Sequence, residues 1–138
     1  MSHARLELFY LVVWSTKHRE AWITSPFQTP LCRFLAQRAT AKGCRVIAVN
    51  CVEDHVHVLL YMPPTERLSN LVKDMKGASS RMMSGEAFFD FAWQEGYSAT
   101  TLRAADVPTV KAYVERQRFH HGPGGGIEET LEDSIAGE

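Results

Sequence analysis

The chain has 138 residues, of which 45% are hydrophobic, 22% charged and 10% aromatic; this is the composition of one ordinary globular domain and excludes disordered, collagen-like and coiled-coil classes. Its apolar runs, such as 11–14 and 56–62 (the second broken by His57), are too short to cross a bilayer, and its opening residues lack the apolar stretch of a secretory leader. The net charge of −1 is uneven, since fifteen cations against eleven acids leave +4 up to Ile127 while five acids after Gly126 reverse it; such a mildly basic body permits nucleic-acid contact without demanding it.

In chain order, Leu6 to Trp14 reads as a strand rich in β-formers, ended by the polar run 15–19. Ser25 followed by Pro26 marks a helix start, with serine as N-cap. Leu31, Phe34, Leu35 and Arg38 keep helical spacing, and Gly43 supplies the stop. Arg45 to Val52 and His55 to Met62 form a second and a third strand joined as a hairpin, closed by Pro63-Pro64. Leu68, Leu71, Val72 and Met75 place a second helix over about 68–83, ending near Gly85. Phe88 to Trp93 and Tyr97 to Leu102 are apolar enough for a final strand bent at Gly96. Asp106 is expected to cap a third helix carrying Val110, Tyr113, Val114 and Gln117 and stopping by Gly122.

This β-α-β-β-α-β order with an added helix predicts an α+β, ferredoxin-like split β-α-β fold: one antiparallel sheet with helices on one face. The domain is expected to span 1–121, with 122–138 as a flexible acidic tail after the Gly122-Pro-Gly-Gly-Gly hinge. Three cysteines (Cys32, Cys44, Cys51) without a Cys-x-x-Cys pair argue against a disulfide framework or zinc knuckle. They suit a cytoplasmic protein with reduced thiols.

Two constellations carry possible chemistry. His55-Val56-His57 sends both imidazoles to one strand face, a natural pair of metal ligands; the plainer reading is two histidines on a partly solvated sheet. Glu53 joins that face if the strand extends back to it. Tyr113 and Gln117, four apart on a helix, share a side with Val110 and Val114 and turn both polar tips inward. The plainer reading there is a core tyrosine bonded to a carbonyl. Tyr61 shares the histidine face but lacks a glutamine partner, and Tyr97 reads as structural. His120 and His121 suit the last turn of a helix, and Ser79 and Ser80 have no visible base.

Taken together, Ser15-Thr-Lys-His-Arg, Glu53-Asp-His-Val-His-Val, Lys76-Gly-Ala-Ser-Ser-Arg81, Trp93-Gln-Glu-Gly-Tyr97 and Tyr113-Val-Glu-Arg-Gln117 followed by His120-His121 occur in an order that resembles the single-tyrosine HUH transposases. These are the insertion-sequence-200 group, with the REP-associated tyrosine transposases as close relatives. The resemblance runs nearly to His121 and departs beyond it, where relatives usually continue with basic residues.

The resemblance implies that Tyr113, on a C-terminal catalytic helix, is the nucleophile and that His55, His57 and Gln117 bind a divalent metal, Mg2+ or Mn2+. It implies cutting and rejoining of single-stranded DNA hairpins through a 5′-phosphotyrosine link, by a homodimer with no membrane association. A phenol with a pKa near ~10 needs such help, and neutral ligands leave the ion's charge available to a phosphate. Lys17, Arg19, Lys73, Lys76 and Arg81 are candidate DNA contacts. The same residues are compatible with a domesticated endonuclease acting on palindromes, with a catalytically inactive DNA-binding regulator of the same fold, and with a histidine-metal enzyme completed by Glu53 or His121.

Overall fold

The computed structural model describes residues 6–87 and 90–116 of the chain. Four strands, β1 (Phe9–Ser15), β2 (Arg45–Cys51), β3 (His55–Tyr61) and β4 (Ser98–Leu102), form one sheet in the order β2-β3-β1-β4. All three pairings are antiparallel. Three α-helices complete the fold: α1 (Ser25–Ala41), α2 (Leu68–Ala87) and α3 (Val107–Glu115). This is the ferredoxin-like arrangement with its added C-terminal helix.

β1 and β3 are central, and β3 is buried from His55 to Leu60. A strand covered on both faces loses the apolar–polar alternation of a half-exposed one. One face carries Val12, Trp14, Val56, Val58 and Leu60 against Leu31, Leu35 and Ala39 of α1 and Leu71, Val72 and Met75 of α2. The other carries Leu11, Val13, Ala48 and Leu59 against Tyr113 and Val114 of α3. The only polar side chains that β3 sends to either face are His55 and His57, both toward the α3 side. In register, Ser15 and Val13 stand opposite His55 and His57 on β1, and Asn50 stands opposite His57 on β2.

Several local expectations are corrected. Ser25 is the first residue of α1, preceded by an extended Thr24 that makes no side-chain cap, so Ser25 is not the N-cap. Gly43 does end the helix, with φ +86 and its amide donating to the Thr40 carbonyl at 2.9 Å. Asp106 stands at the N-cap position of α3 but makes no side-chain cap bond; its carboxylate takes two bonds from Arg103, at 3.0 and 3.1 Å, and a 3-10 turn (Ala104–Asp106) leads into the helix.

The final strand is only Ser98–Leu102. Among the described residues, the segment before it contributes a single bridge, Trp93 to Thr16. Phe91 and Trp93 are core plugs: they pack edge-to-face at 4.7 Å between centroids, and Trp93 meets Trp14 at 5.8 Å. The Trp93 indole N–H donates to the Ser79 hydroxyl, at 3.0 Å, which gives that buried serine a structural task. Phe88 and Phe89, at the start of the expected strand, and Gln117, His120, His121 and the segment 122–138 lie outside the described residues.

Candidate active site

The site forms where β3 begins and α3 crosses the sheet. Adjacent same-face positions on a strand bring the His55 and His57 rings to 5.0 Å between centroids, and both are buried. The Tyr113 ring, also buried, stands edge-on to His57 at 5.7 Å. His55, His57 and Tyr113 therefore meet within one protomer. The histidines are buried, not on a partly solvated face, while Tyr113 is a core residue that packs edge-on to one of them.

Two residues overlooked in the sequence hold this geometry. Asn50 reaches across from β2, and its Nδ2 donates to the carbonyls of Val114 and Glu115 at 3.0 and 3.3 Å. Those are carbonyls of the last turn of α3, which an α-helix leaves without internal partners. The bonds pin the C-terminal end of the tyrosine helix onto the strand opposite His57. Asp54 sits in the β2–β3 turn and places Oδ1 2.6 Å from Nδ1 of His55.

Burial raises the Asp54 pKa, but the hydrogen bond and charge of His55, together with the Arg19 guanidinium, outweigh it and bring the group down to about 2. An ionised carboxylate only accepts hydrogen bonds, so Nδ1 of His55 carries the proton. In the neutral ring, Nε2 is then the lone-pair nitrogen, the usual partner arrangement of a metal-binding histidine. Arg19 Nε in turn holds Asp54 Oδ2 at 3.1 Å, and the Thr16 amide donates to the Asp54 carbonyl at 2.8 Å.

Two neutral imidazoles on one face, one of them fixed in tautomer, suit a borderline divalent ion. Among the described residues no group of three or more His, Cys, Asp and Glu side chains is placed to hold a metal, so a third ligand must come from another residue type or another segment. Glu53 is exposed, in the turn before the strand, and does not join the histidine face. Tyr61 lies at the far end of β3, stacked edge-on to Phe9 at 5.7 Å with Arg45 over its ring.

The five candidate DNA contacts separate into three settings. Lys17 and Arg19 occupy the 3-10 turn beside the site. Lys73 and Arg81 line a groove with Arg38 and Lys42 on the α1–α2 layer, across the sheet from Tyr113. Lys76 donates its ammonium to the carbonyls of Gln94 and Gly96, at 2.8 and 2.7 Å. Burial there lowers its pKa, against a smaller opposing pull from Glu95. Its task is to clamp the 94–96 loop. Tyr97, read in the sequence as structural, is instead 41% exposed.

Residues 5–117 match the model of the IS200-like transposase family. The chain is similar to the ISDra2 transposase TnpA of Deinococcus radiodurans, 27% identical over 118 residues, covering 80% of this chain and 84% of that one. It is also similar to the transposase for insertion sequence element IS200 of Salmonella typhimurium, 25% identical over 124 residues, covering 85% and 81%. Among solved structures, a D. radiodurans protein described as a transposase superposes with a TM-score of 0.66 at 27% identity, over 85% of this chain and 98% of that one. A REP-associated tyrosine transposase bound to a REP hairpin shares the fold, with a TM-score of 0.63 at 16% identity over 88% and 75%. No described helix is long and apolar enough to cross a membrane. A sheet that sets paired histidines against a helical tyrosine, and a family match over most of the length, lead to one assignment: the chain is a member of the IS200-like transposase family.

Proposed function

We propose that this transposase nicks and rejoins single-stranded DNA hairpins with Tyr113 as its nucleophile and with His55, His57 and Gln117 as ligands of a divalent metal. The observation that carries this reading is the 5.7 Å approach of the Tyr113 and His57 rings in one protomer. In the step envisaged, the Tyr113 oxygen attacks the scissile phosphorus as the bond to the 3′-oxygen breaks. The strand leaves with a free 3′-hydroxyl, and its 5′-phosphate stays on the tyrosine. The phosphotyrosine ester retains the energy of the phosphodiester, so a 3′-hydroxyl returning to that phosphorus rejoins ends without ATP.

When bound, Mg2+ or Mn2+ supplies neutralisation of the scissile phosphate, which a phenol requires at neutral pH. Asp54 holds the His55 ring in the tautomer that leaves Nε2 for the ion, and Arg19 holds Asp54. Asn50 keeps α3 seated so that the phenol meets the phosphate without a search. Lys17 and the outward part of Arg19 meet phosphates at the cut, while Lys73 and Arg81 are placed for a flanking part of the strand. Two ends must be processed together, for which a homodimer is the simplest assembly.

The test is to incubate the chain with labelled single-stranded hairpins and Mn2+, then resolve the products on a denaturing protein gel. A labelled adduct that vanishes in Tyr113→Phe and on chelation is the expected result. Metal binding without adduct on any hairpin of a library would overturn the nuclease reading and favour a non-cutting regulator of the same fold.

A further inference from the structure

A cleft of about 240 Å³ opens beside His55, with Arg19, Gln94, Glu95, Gly96 and Tyr97 in its lining. It is smaller than the ~300–1,000 Å³ of sites for drug-sized molecules and suits one planar ring. Besides His55, most of its walls come from the sequence motifs Ser15–Arg19 and Trp93–Tyr97.

Main-chain bonds join those walls. Thr16 bridges Trp93, the Lys17 amide donates to Ala92 and the Gln94 amide donates to Ser15. The His18 amide donates to the Gln94 side-chain oxygen at 3.2 Å, and Lys76 clamps the loop from below. His18 and Arg19 both hold left-handed backbone, φ 58 and 57, a conformation that bulky residues keep only where the surroundings enforce it. Gly96 also turns through positive φ, +84, and apart from its chain neighbours no atom lies within 4 Å of where a Cβ would stand. The conformation therefore selects glycine there, not crowding.

The exposed groups are complementary in kind. Tyr97 offers a phenol ring that the core does not use. With its oxygen engaged by His18, Gln94 has its NH2 group to donate. Glu95 is an exposed acceptor next to it. An aromatic platform, a donor and an acceptor are what read an unstacked base by its face and edge.

Resting on the DNA-processing reading above, we infer that this cleft takes a single unpaired nucleobase next to the scissile phosphate, stacked on Tyr97 and read by Gln94 and Glu95. A carboxylate accepts from exocyclic amino groups, so adenine and cytosine are preferred to thymine.

Binding measured by fluorescence anisotropy tests this apart from cutting, using the full chain carrying Tyr113→Phe. The probes are oligo-dA, oligo-dC, oligo-dT and an abasic deoxyribose-phosphate strand, each of about 12 nucleotides. Tyr97→Ala should weaken binding of the base-bearing strands about tenfold and leave the abasic strand unchanged, while Tyr97→Phe binds as its parent. Glu95→Gln should narrow the preference for dA and dC over dT by about tenfold. Equal loss on base-bearing and abasic strands, or no loss with Tyr97→Ala, overturns the pocket, as does a dA/dC preference that survives Glu95→Gln. If Tyr113-dependent adducts form while Tyr97 makes no difference, the nuclease reading stands and the pocket falls. If no strand binds at all, both fall.

Discussion

On the α1–α2 side of the sheet, Val56, Val58 and Leu60 enter a layer supplied by a 17-residue and a 20-residue helix, with Trp14, Phe91 and Trp93 filling its end. On the other side, among the described residues, His55, His57 and Leu59 lie under the nine-residue α3, which contributes Tyr113 and Val114. One strand thus divides its work by parity, with its even-numbered residues in the thick layer and His55 and His57, at odd positions, in the candidate site. The thick layer is mostly apolar, because an unpartnered polar side chain there costs about 1–3 kcal/mol, and its buried Ser79 is paired with the Trp93 indole. The thin cover lets imidazoles and a phenol share a face close to the surface, held by a few named hydrogen bonds in place of a deep core.

The largest contrast comes from cutting the chemistry on one side and the packing on the other. Tyr113→Phe keeps the ring and should lower the unfolding free energy by no more than about 0.5–1.5 kcal/mol while abolishing the covalent adduct. Leu35→Ala, on α1 and fully buried, should destabilise by about 2–5 kcal/mol yet leave adduct formation per folded molecule unchanged. Denaturant melts and adduct yields on the same two proteins check both halves. A Leu35→Ala protein that folds but does not react would erase the division between the faces.

The thick layer was largely legible in the sequence. Leu31, Leu35, Leu71, Val72 and Met75 keep helical spacing because they all face one sheet, and Gly43 and Pro63-Pro64 punctuate as their backbone limits demand. The histidine pair and Tyr113 were equally legible, since strand and helix periodicity set which side chains share a face.

Other features depend on tertiary partners. Phe91 and Trp93 are apolar because they plug the core, and apolar composition alone does not distinguish a plug from a strand. Asp106 would cap α3 but for Arg103 three residues before it. Asp54 escaped notice because alternation along a strand sends neighbours to opposite faces, and it belongs to the turn, where that rule lapses. Its position directly before His-x-His was the available signal. Asn50 has no local signature; its function is defined only by the helix that arrives 64 residues later.

At the rim of the thin side, Asp54→Asn tests how the histidines are held. An amide can donate as well as accept, so the tautomer of His55 is no longer enforced and Arg19 loses a charged partner. Mn2+ affinity, measured calorimetrically, should fall about 10–100-fold with no change in far-ultraviolet circular dichroism. Unchanged affinity would remove Asp54 from the site. Asn50→Ala should act more gently, releasing two carbonyls of α3 at a cost of about 1–2 kcal/mol. Hydrogen exchange should show the α3 amides losing protection before those of α1 and α2, a local effect only a thin cover permits. Uniform loss over all three helices would mean that α3 is not separately held.

The smallest effect belongs to the thick side. Arg38 grips Asp74 through two bonds of 2.8 Å and ties α1 to α2. The hydrogen bond from Arg38 lowers the Asp74 pKa against a desolvation that would raise it, with Lys42 and Arg81 adding to the lowering. A carboxylate whose pKa is depressed on folding contributes stability above its unfolded value of 3.8, and that contribution fades as pH falls through the lower folded value. Melting temperature should therefore drop below about pH 4, less steeply in Asp74→Asn. Because the pair is partly exposed, added salt should shrink the difference between the two proteins. Tyr113-dependent adduct formation at neutral pH should be the same in both, since Asp74 lies across the sheet from the tyrosine. A change in adduct yield would instead mean that the groove of Arg38, Lys42, Lys73 and Arg81 acts at the reacting phosphate and not only on the flanking strand.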